Sequence, residues 1–309
     1  MPHFCSSIVI MIRIGTRGSK LALWQANDLK DKLESVGVKS ELIIIKTKGD
    51  NIQHLGFNKM EGKGFFTKEI EEALIDDKID VAVHSLKDLP TSGHPDLAVS
   101  GVSTRANPRD LLIIHADHVD PTRPIKVCSG ATIGTSSIRR KVQVHSFDES
   151  INLVDIRGNV PTRINKVRTG EVDGIVLAAA GVERLTIDLS DLEVVRFNPL
   201  ECVPAPAQGV IGYQCRKEDR VSRTIIKDIH HSDVSACTNV ERKILNLLDG
   251  GCQLPLGAYC TRDANGHYHC TAILGTIPGE KIARASASRS TSAGLAEHIV
   301  SVLKNNLEL

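Results

Sequence analysis

The chain has 309 residues, of which 41% are hydrophobic and 24% charged, as in an ordinary globular protein of two or three domains. A formal net charge of +1 gives no global pull toward nucleic acid or membrane, so any anion site must be local. Aromatic residues are only 3%, which disfavours stacking platforms for single strands, and no nucleic-acid partner is expected.

"MIRIGT" (11–16) reads as a first strand, with Met11 available as an internal start. Ser19 is placed to cap a helix whose apolar face is Ala22, Ala26, Leu29, Leu33 and Val36, closed by Gly37. "SELIIIKT" reads as a buried strand, and Thr67 opens a helix through Ile70, Ala73 and Leu74. "IDVAVHS" is a third strand, stopped by "LKDLP". This alternation predicts a mostly parallel sheet. The middle third repeats it. "ATIGTSS" leads into a helix with Arg139 and Arg140, and "INLVDIRG", "VPTRINKVRTG" and "VDGIVLAAAG" follow as strand, helix and strand. Ile14-Gly15-Thr16 and Ile133-Gly134-Thr135 stand at matching points of the two series, which suggests two similar α/β lobes. "TRANPRD" (104–110) reads as the crossing between them and "NPLECVPAPAQG" (198–209) as the return. After Cys215 come a helix in "SACTNVERKILNLL", a hairpin turned at Asn265-Gly266 and a helix in "AGLAEHIVSVLKNNL". The expected domains are 12–104 together with 206–226, then 105–205, then a small α+β domain over 227–309.

Basic residues gather where strands end and helices begin. Arg17 and Ser19 stand before the first helix; Thr135, Ser136, Ser137, Arg139 and Arg140 at the matching helix; Arg157, Gly158, Asn159 and Arg163 after the next strand. Helix N-termini and arginine forks both suit carboxylates, so the set predicts a site for a ligand with several negative groups. Taken singly, each arginine reads more readily as solvated surface. "EGKGFFTKE" (61–69) lacks phosphate-loop spacing and reads as a turn or a lysine-bearing lid. "HSLKDLP" sets His84, Ser85, Lys87 and Asp88 at a strand end, where catalytic groups sit in such sheets; Asp88 also reads as a plain turn residue. Cys260, His267, His269 and Cys270 match no common zinc spacing, and strand alternation splits them between faces, so no metal is expected.

Eight cysteines are scattered without a CxxC, which fits a reducing compartment rather than a disulfide framework. No apolar run approaches the ~20 residues that span a bilayer, so a cytoplasmic chain without membrane contact is expected. Cys252 lies in "LLDGGCQLPLGAY", among Gly250, Gly251, Pro255 and Gly257. Such a stretch is neither helix nor strand and lifts one thiol onto a loop. Alone it reads as a structural thiol, with His84 open as a distant partner.

These stretches together resemble the porphobilinogen deaminase family. The carrying motifs are "IRIGTRGSKLALWQA", "GKGFFTKEIEEAL", "DVAVHSLKDLP", "IGTSSIRR", "DIRGNVPTRINKV", "LAAAGVERL", "PAQGVIGYQCR" and "GGCQLPLGAY", spread from Ile12 to the last helix. Gly18 and "VPAPAQG" depart mildly from the family pattern and remove no charged site residue. The resemblance implies two lobes like those of periplasmic binding proteins plus a C-terminal α+β domain. It implies head-to-tail joining of four porphobilinogen molecules with loss of ammonia, giving hydroxymethylbilane, by a monomer. It implies a dipyrromethane cofactor held through a thioether to Cys252; a thiolate is a strong nucleophile toward the methylene left when ammonia departs. By the same resemblance Lys59, Lys63, Ser85, Lys87, Thr135, Ser137, Arg139, Arg140, Arg157 and Gly158 contact cofactor or chain. Arg17, Ser19, Arg163, Arg184 and Gln208 would serve incoming substrate or the growing chain, and Asp88 would face the pyrrole N–H groups. A noncatalytic two-lobed binder of an organic polyanion is the alternative.

Overall fold

Branched apolar runs alternating with amphipathic stretches build two five-stranded sheets on one plan, followed by a small antiparallel sheet. The computed structural model describes residues 11–47, 67–248, 254–276 and 281–308. Four strands come first: β1 (Met11–Thr16), β2 (Lys39–Ile44), β3 (Val81–Ser85) and β4 (Leu97–Val102). The next five are β5 (Asp110–His115), β6 (Thr132–Gly134), β7 (Asn152–Val154), β8 (Gly174–Ala178) and β9 (Leu192–Arg196). The last four are β10 (Ile211–Arg216), β11 (Leu256–Arg262), β12 (Tyr268–Gly275) and β13 (Ile282–Arg289). The helices are α1 (Lys20–Ser35), α2 (Lys68–Ile75), α3 (Ile138–Phe147), α4 (Val160–Arg168), α5 (Ala179–Arg184), α6 (Arg220–Asp228), α7 (Ser232–Leu247) and α8 (Leu295–Leu307).

The chain divides into two units. One takes residues through His84, Gly93–Ser103 and Ile211–His231; the other takes Ser85–Ser92, Thr104–Val210 and Ser232–Leu309. In the first unit the strand order is β2-β1-β3-β10-β4, with β1 parallel to β2 and β3 and β10 antiparallel to β4. Its core is Ile12, Ile14, Leu29, Leu33, Val81, Ile211 and Tyr213. Ser19 does cap α1, its Oγ accepting from the Ala22 amide, and Gly37 lies just beyond at φ +79°. Two expectations give way. β2 is a half-exposed edge strand with Ile44 58% exposed, not a buried one, and Val36 falls outside α1 and is exposed.

The second unit repeats the plan as β7-β6-β8-β5-β9, with β6 parallel to β7 and β8 and β5 antiparallel to β8 and β9. The sheets are therefore mixed rather than mostly parallel, because the strands flanking the crossing and the return run against their neighbours. β1 and β6 hold the same place in their sheets, so the Ile-Gly-Thr echo is structural. At both glycines a Cβ would collide with an isoleucine, 2.2 Å from Ile79 Cδ1 at Gly15 and 2.9 Å from Ile156 Cδ1 at Gly134. The same unit contains the antiparallel sheet β11-β12-β13, turned at Gly266 with φ +87° as read from Asn265-Gly266. Against it Val240 and Ile244 of α7 and Leu295, Ile299 and Leu303 of α8 close a core with Leu256, Ala272 and Leu274.

Candidate active site

The second unit gathers its charges where β6, β7 and β8 end. After β6 the Thr135 hydroxyl accepts from the Ser137 amide at 3.3 Å, and Ser136 Oγ donates to Ile156 O at 2.8 Å and accepts from Ile156 N at 3.0 Å. That exchange ties the two strand-end loops together. Ser137 sits at the N-cap of α3, yet its side chain makes no capping hydrogen bond, leaving the hydroxyl for another partner.

Arg139 and Arg140 open α3 and are buried, 4% and 7% exposed. They converge on one carboxylate that the sequence reading did not select. Arg139 Nη2 donates to Asp110 Oδ2 at 2.7 Å, and Arg140 Nη2 to Asp110 Oδ1 at 2.7 Å. Carbonyls take further donors, Val203 O from Arg139 at 2.8 Å and Val176 O from Arg140 at 3.1 Å. Burial alone would raise the Asp110 carboxyl, but the two guanidiniums outweigh it and hold it well below the ordinary carboxylate range. Gln208, also buried, donates through Nε2 to Asp110 Oδ1 at 2.9 Å and to Pro108 O at 2.8 Å. Its Oε1 is buried and has no hydrogen-bond partner among the described residues. The signal for Asp110 was present: an acid heading the apolar run "DLLII" must be paired if it is buried.

Further cations border this pair. Arg163, on the first turn of α4, donates from Nε to Gly158 O at 2.8 Å. Burial and repulsion from Arg140 and Arg157 lower it to about 10. Gly158 has φ +110°, and a Cβ there would lie 2.7 Å from Thr162 Cγ2, so this turn requires glycine. Lys87 feels the same field: loss of hydration lowers its ammonium, Arg140 and Arg139 add to that, and Asp88 and Asp110 oppose it. Asp88 itself is exposed, in a single 3-10 turn, Leu86–Asp88, that follows Ser85. Arg184 stands at the end of α5 and donates from Nη2 to Gly209 O at 2.9 Å. The second unit thus carries Ser85, Lys87, Asp88, Thr135, Ser137, Arg139, Arg140, Arg157, Gly158, Arg163, Arg184 and Gln208, and links Lys87, Arg139, Arg140 and Gln208 around Asp110.

The first unit carries Arg17 and Ser19 at the matching end of β1. Its His84 is buried, with Nε2 3.1 Å from Gln214 Oε1. Burial lowers the imidazole to about 4, the Gln214 bond opposes this and Arg17 adds to it, so His84 is neutral at physiological pH. Cys252, Lys59 and Lys63 lie outside the described residues. Among the described residues no group of His, Cys, Asp and Glu is arranged to hold a metal ion, and no helix is long and apolar enough to cross a membrane.

Residues 12–224 match the family model described as porphobilinogen deaminase, dipyromethane cofactor binding domain, and residues 235–307 match porphobilinogen deaminase, C-terminal domain. A porphobilinogen deaminase of Desulforamulus reducens is 38% identical over 283 residues, 91% of this chain and 89% of the relative. One from Syntrophomonas wolfei is 40% identical over 275 residues, 87% of each chain. Among solved structures, the periplasmic VFT2 domain of Bordetella pertussis BvgS aligns at 13% identity with a TM-score of 0.42, over 73% of this chain and 91% of that one.

Proposed function

We propose what each group of this site does from one premise: this chain belongs to the porphobilinogen deaminase family. It is a transferase of porphyrin and haem biosynthesis. It joins four porphobilinogen molecules head to tail, releasing ammonia at each join, to give the linear tetrapyrrole hydroxymethylbilane. Its cofactor is dipyrromethane. When bound, the dipyrromethane supplies the pyrrole carbon to which the next unit is joined.

The residues present fit such a group. Pyrroles of this kind each carry two carboxylate side chains; Arg139 and Arg140 hold one buried acid, Asp110, between them, Lys87 lies in the field of all three, and Arg163 lies in that of Arg140 and Arg157. The observation that carries the reading is this convergence of cations at the strand ends; burial lowers Arg163, and repulsion from Arg140 and Arg157 adds to it. Ser85, Lys87, Thr135, Ser137, Arg139, Arg140, Arg157 and Gly158 hold the cofactor, with Lys59 and Lys63. Cys252 anchors it by a thioether. Arg17, Ser19, Arg163 and Arg184 receive substrate or the lengthening chain, and the unpaired Gln208 Oε1 suits a pyrrole N–H. Asp88 accepts a pyrrole N–H bond and opposes the positive charge that develops as ammonia leaves, so it favours the transition state over the ground state.

The three-domain division, 12–104 with 206–226, 105–205 and 227–309, is part of this proposal; a separate sheet and core in each part supports it. So is action as a cytoplasmic monomer, with porphobilinogen as the small-molecule partner. Intact mass under denaturing conditions tests the anchor. The purified active protein is expected to exceed its sequence mass by two pyrrole units, and Cys252→Ser to lose both that increment and turnover. A mass equal to the sequence in a preparation that releases no ammonia from porphobilinogen would leave the noncatalytic polyanion binder instead.

A further inference from the structure

Arg242 of α7 holds the backbone of the Asp88 turn. Its Nη1 donates to Leu86 O at 3.0 Å and to Leu89 O at 2.8 Å, and its Nη2 donates to Pro90 O at 2.8 Å. These carbonyls lie on both sides of Asp88. The guanidinium is half-buried, burial lowers it, and no carboxylate is hydrogen-bonded to it among the described residues. A partly desolvated cation without an acidic partner is costly unless its donors are used, and here they are used on one short loop. One helical turn on, Asn246 Oδ1 accepts from Thr91 Oγ1 at 3.4 Å, so the same face of α7 meets the loop twice.

The turn needs this support. It is one 3-10 turn, closed internally by a long Leu89 N to Leu86 O bond of 3.3 Å. The strand before it belongs to the first unit through His84, yet Ser85–Ser92 groups with the second unit, where α7 lies. Helix α7 ends at Leu247, shortly before Cys252 in the sequence.

We propose that Arg242 is a positioning residue for the condensation: by clasping the carbonyls around Asp88 it fixes where that carboxylate stands relative to the reacting pyrrole. The inference rests on the role of Asp88 proposed above. Lysine keeps the charge but cannot spread three planar N–H bonds over three carbonyls. A carboxylate shifted by about 1 Å loses on the order of 100-fold in rate.

The test uses holoenzyme and porphobilinogen, comparing wild type, Arg242→Lys, Asp88→Glu and the double variant, with denatured mass and melting temperature measured on each. Wild type must first release ammonia; a silent wild type overturns the reading of the enzyme rather than that of Arg242. Arg242→Lys is expected to carry its two pyrrole units, keep KM within about twofold and lose roughly 10- to 100-fold in kcat. In the Asp88→Glu background, where the carboxylate is already displaced, the same change should cost less than about threefold. Full kcat in Arg242→Lys, loss of the cofactor mass, or a loss that multiplies undiminished with Asp88→Glu would each overturn the proposal. If Arg242→Lys melts below the assay temperature, Arg242→Gln, which still donates to one carbonyl, is read by the same criteria.

Discussion

Arg140 Nη2 stands 2.7 Å from Asp110 Oδ1, and the Asp110 side chain is completely buried. The carboxylate holds a second guanidinium, Arg139, at the same distance. One negative charge between two positive ones organises the pair without neutralising it. Asp110→Asn should therefore do two things at once. It leaves two buried cations without their acid, a loss on the order of 3–5 kcal/mol. It also frees both arginine forks from their fixed direction, so the two-pyrrole mass increment should fall. Thermal melting and denatured mass of the same sample check both, and a variant that melts like wild type with full increment would contradict this account. Because Asp110 is held below its ordinary value, its stabilising contribution is complete above the unfolded pKa near 4 and declines as pH falls below that.

His84 gives a second pH signature with a different window. Its folded value is about 4, against an unfolded value near 6.5. Between these the unfolded chain binds a proton that the folded chain refuses, so stability falls as pH drops from 6.5 toward 4. The loss at pH 4 is on the order of 3 kcal/mol. His84→Gln has nothing to protonate there, so its melting temperature should vary less over that window. Parallel curves for the two proteins would show that other groups set the slope.

Asp88 is exposed, and charge and position make different demands on it. Asp88→Glu keeps the charge and moves it by one methylene, a displacement worth on the order of 100-fold in rate. Asp88→Asn keeps the shape and loses the charge. Rates of porphobilinogen consumption should rank wild type far above Glu and Glu above Asn. If the residue only shapes the turn before Pro90, asparagine is nearly harmless and the order of the variants reverses.

Arg163 is committed through Nε to the Gly158 carbonyl, and no carboxylate is hydrogen-bonded to it among the described residues. An arriving carboxylate would relieve its repulsion with Arg140 and Arg157. Arg163→Leu is expected to keep the cofactor mass and the fold but raise KM for porphobilinogen about tenfold or more, the scale of one lost charged hydrogen bond. Loss of the cofactor increment instead would move Arg163 from substrate to cofactor binding.

Much of this was legible in the sequence, for identifiable reasons. Strands with branched apolar residues and helices with spaced ones announce themselves, as Ile12 to Ile14 and the Ala26, Leu29, Leu33 face do. β13 did not, because its buried positions are Ala283 and Ala285, and alternating alanines give little period-two contrast. The arginines at the strand ends could be named, but not their mutual geometry, since Asp110 reaches Arg139 and Arg140 only once β5 lies in the sheet. Arg242 was invisible for a similar reason: its partners are carbonyls about 150 positions away, and backbone oxygen carries no residue identity. Cys252 is the opposite case: its own loop reads only as a structural thiol, its anchoring role comes from the resemblance alone, and it lies outside the described residues.

The place of β10 between β3 and β4 sets an order on how the molecule is made. On the ribosome β3 and β4 emerge early, but the strand that joins them comes only after every strand of the second sheet has been synthesised. At ~5–20 residues per second that interval lasts seconds, long compared with the formation of local structure. The second lobe can therefore finish its sheet while the first still shows two open strand edges, the kind of surface that invites wrong pairing. The lobe begun first is thus the one whose sheet can be completed last, and a synthesis pause before residue 211 would lengthen the vulnerable interval.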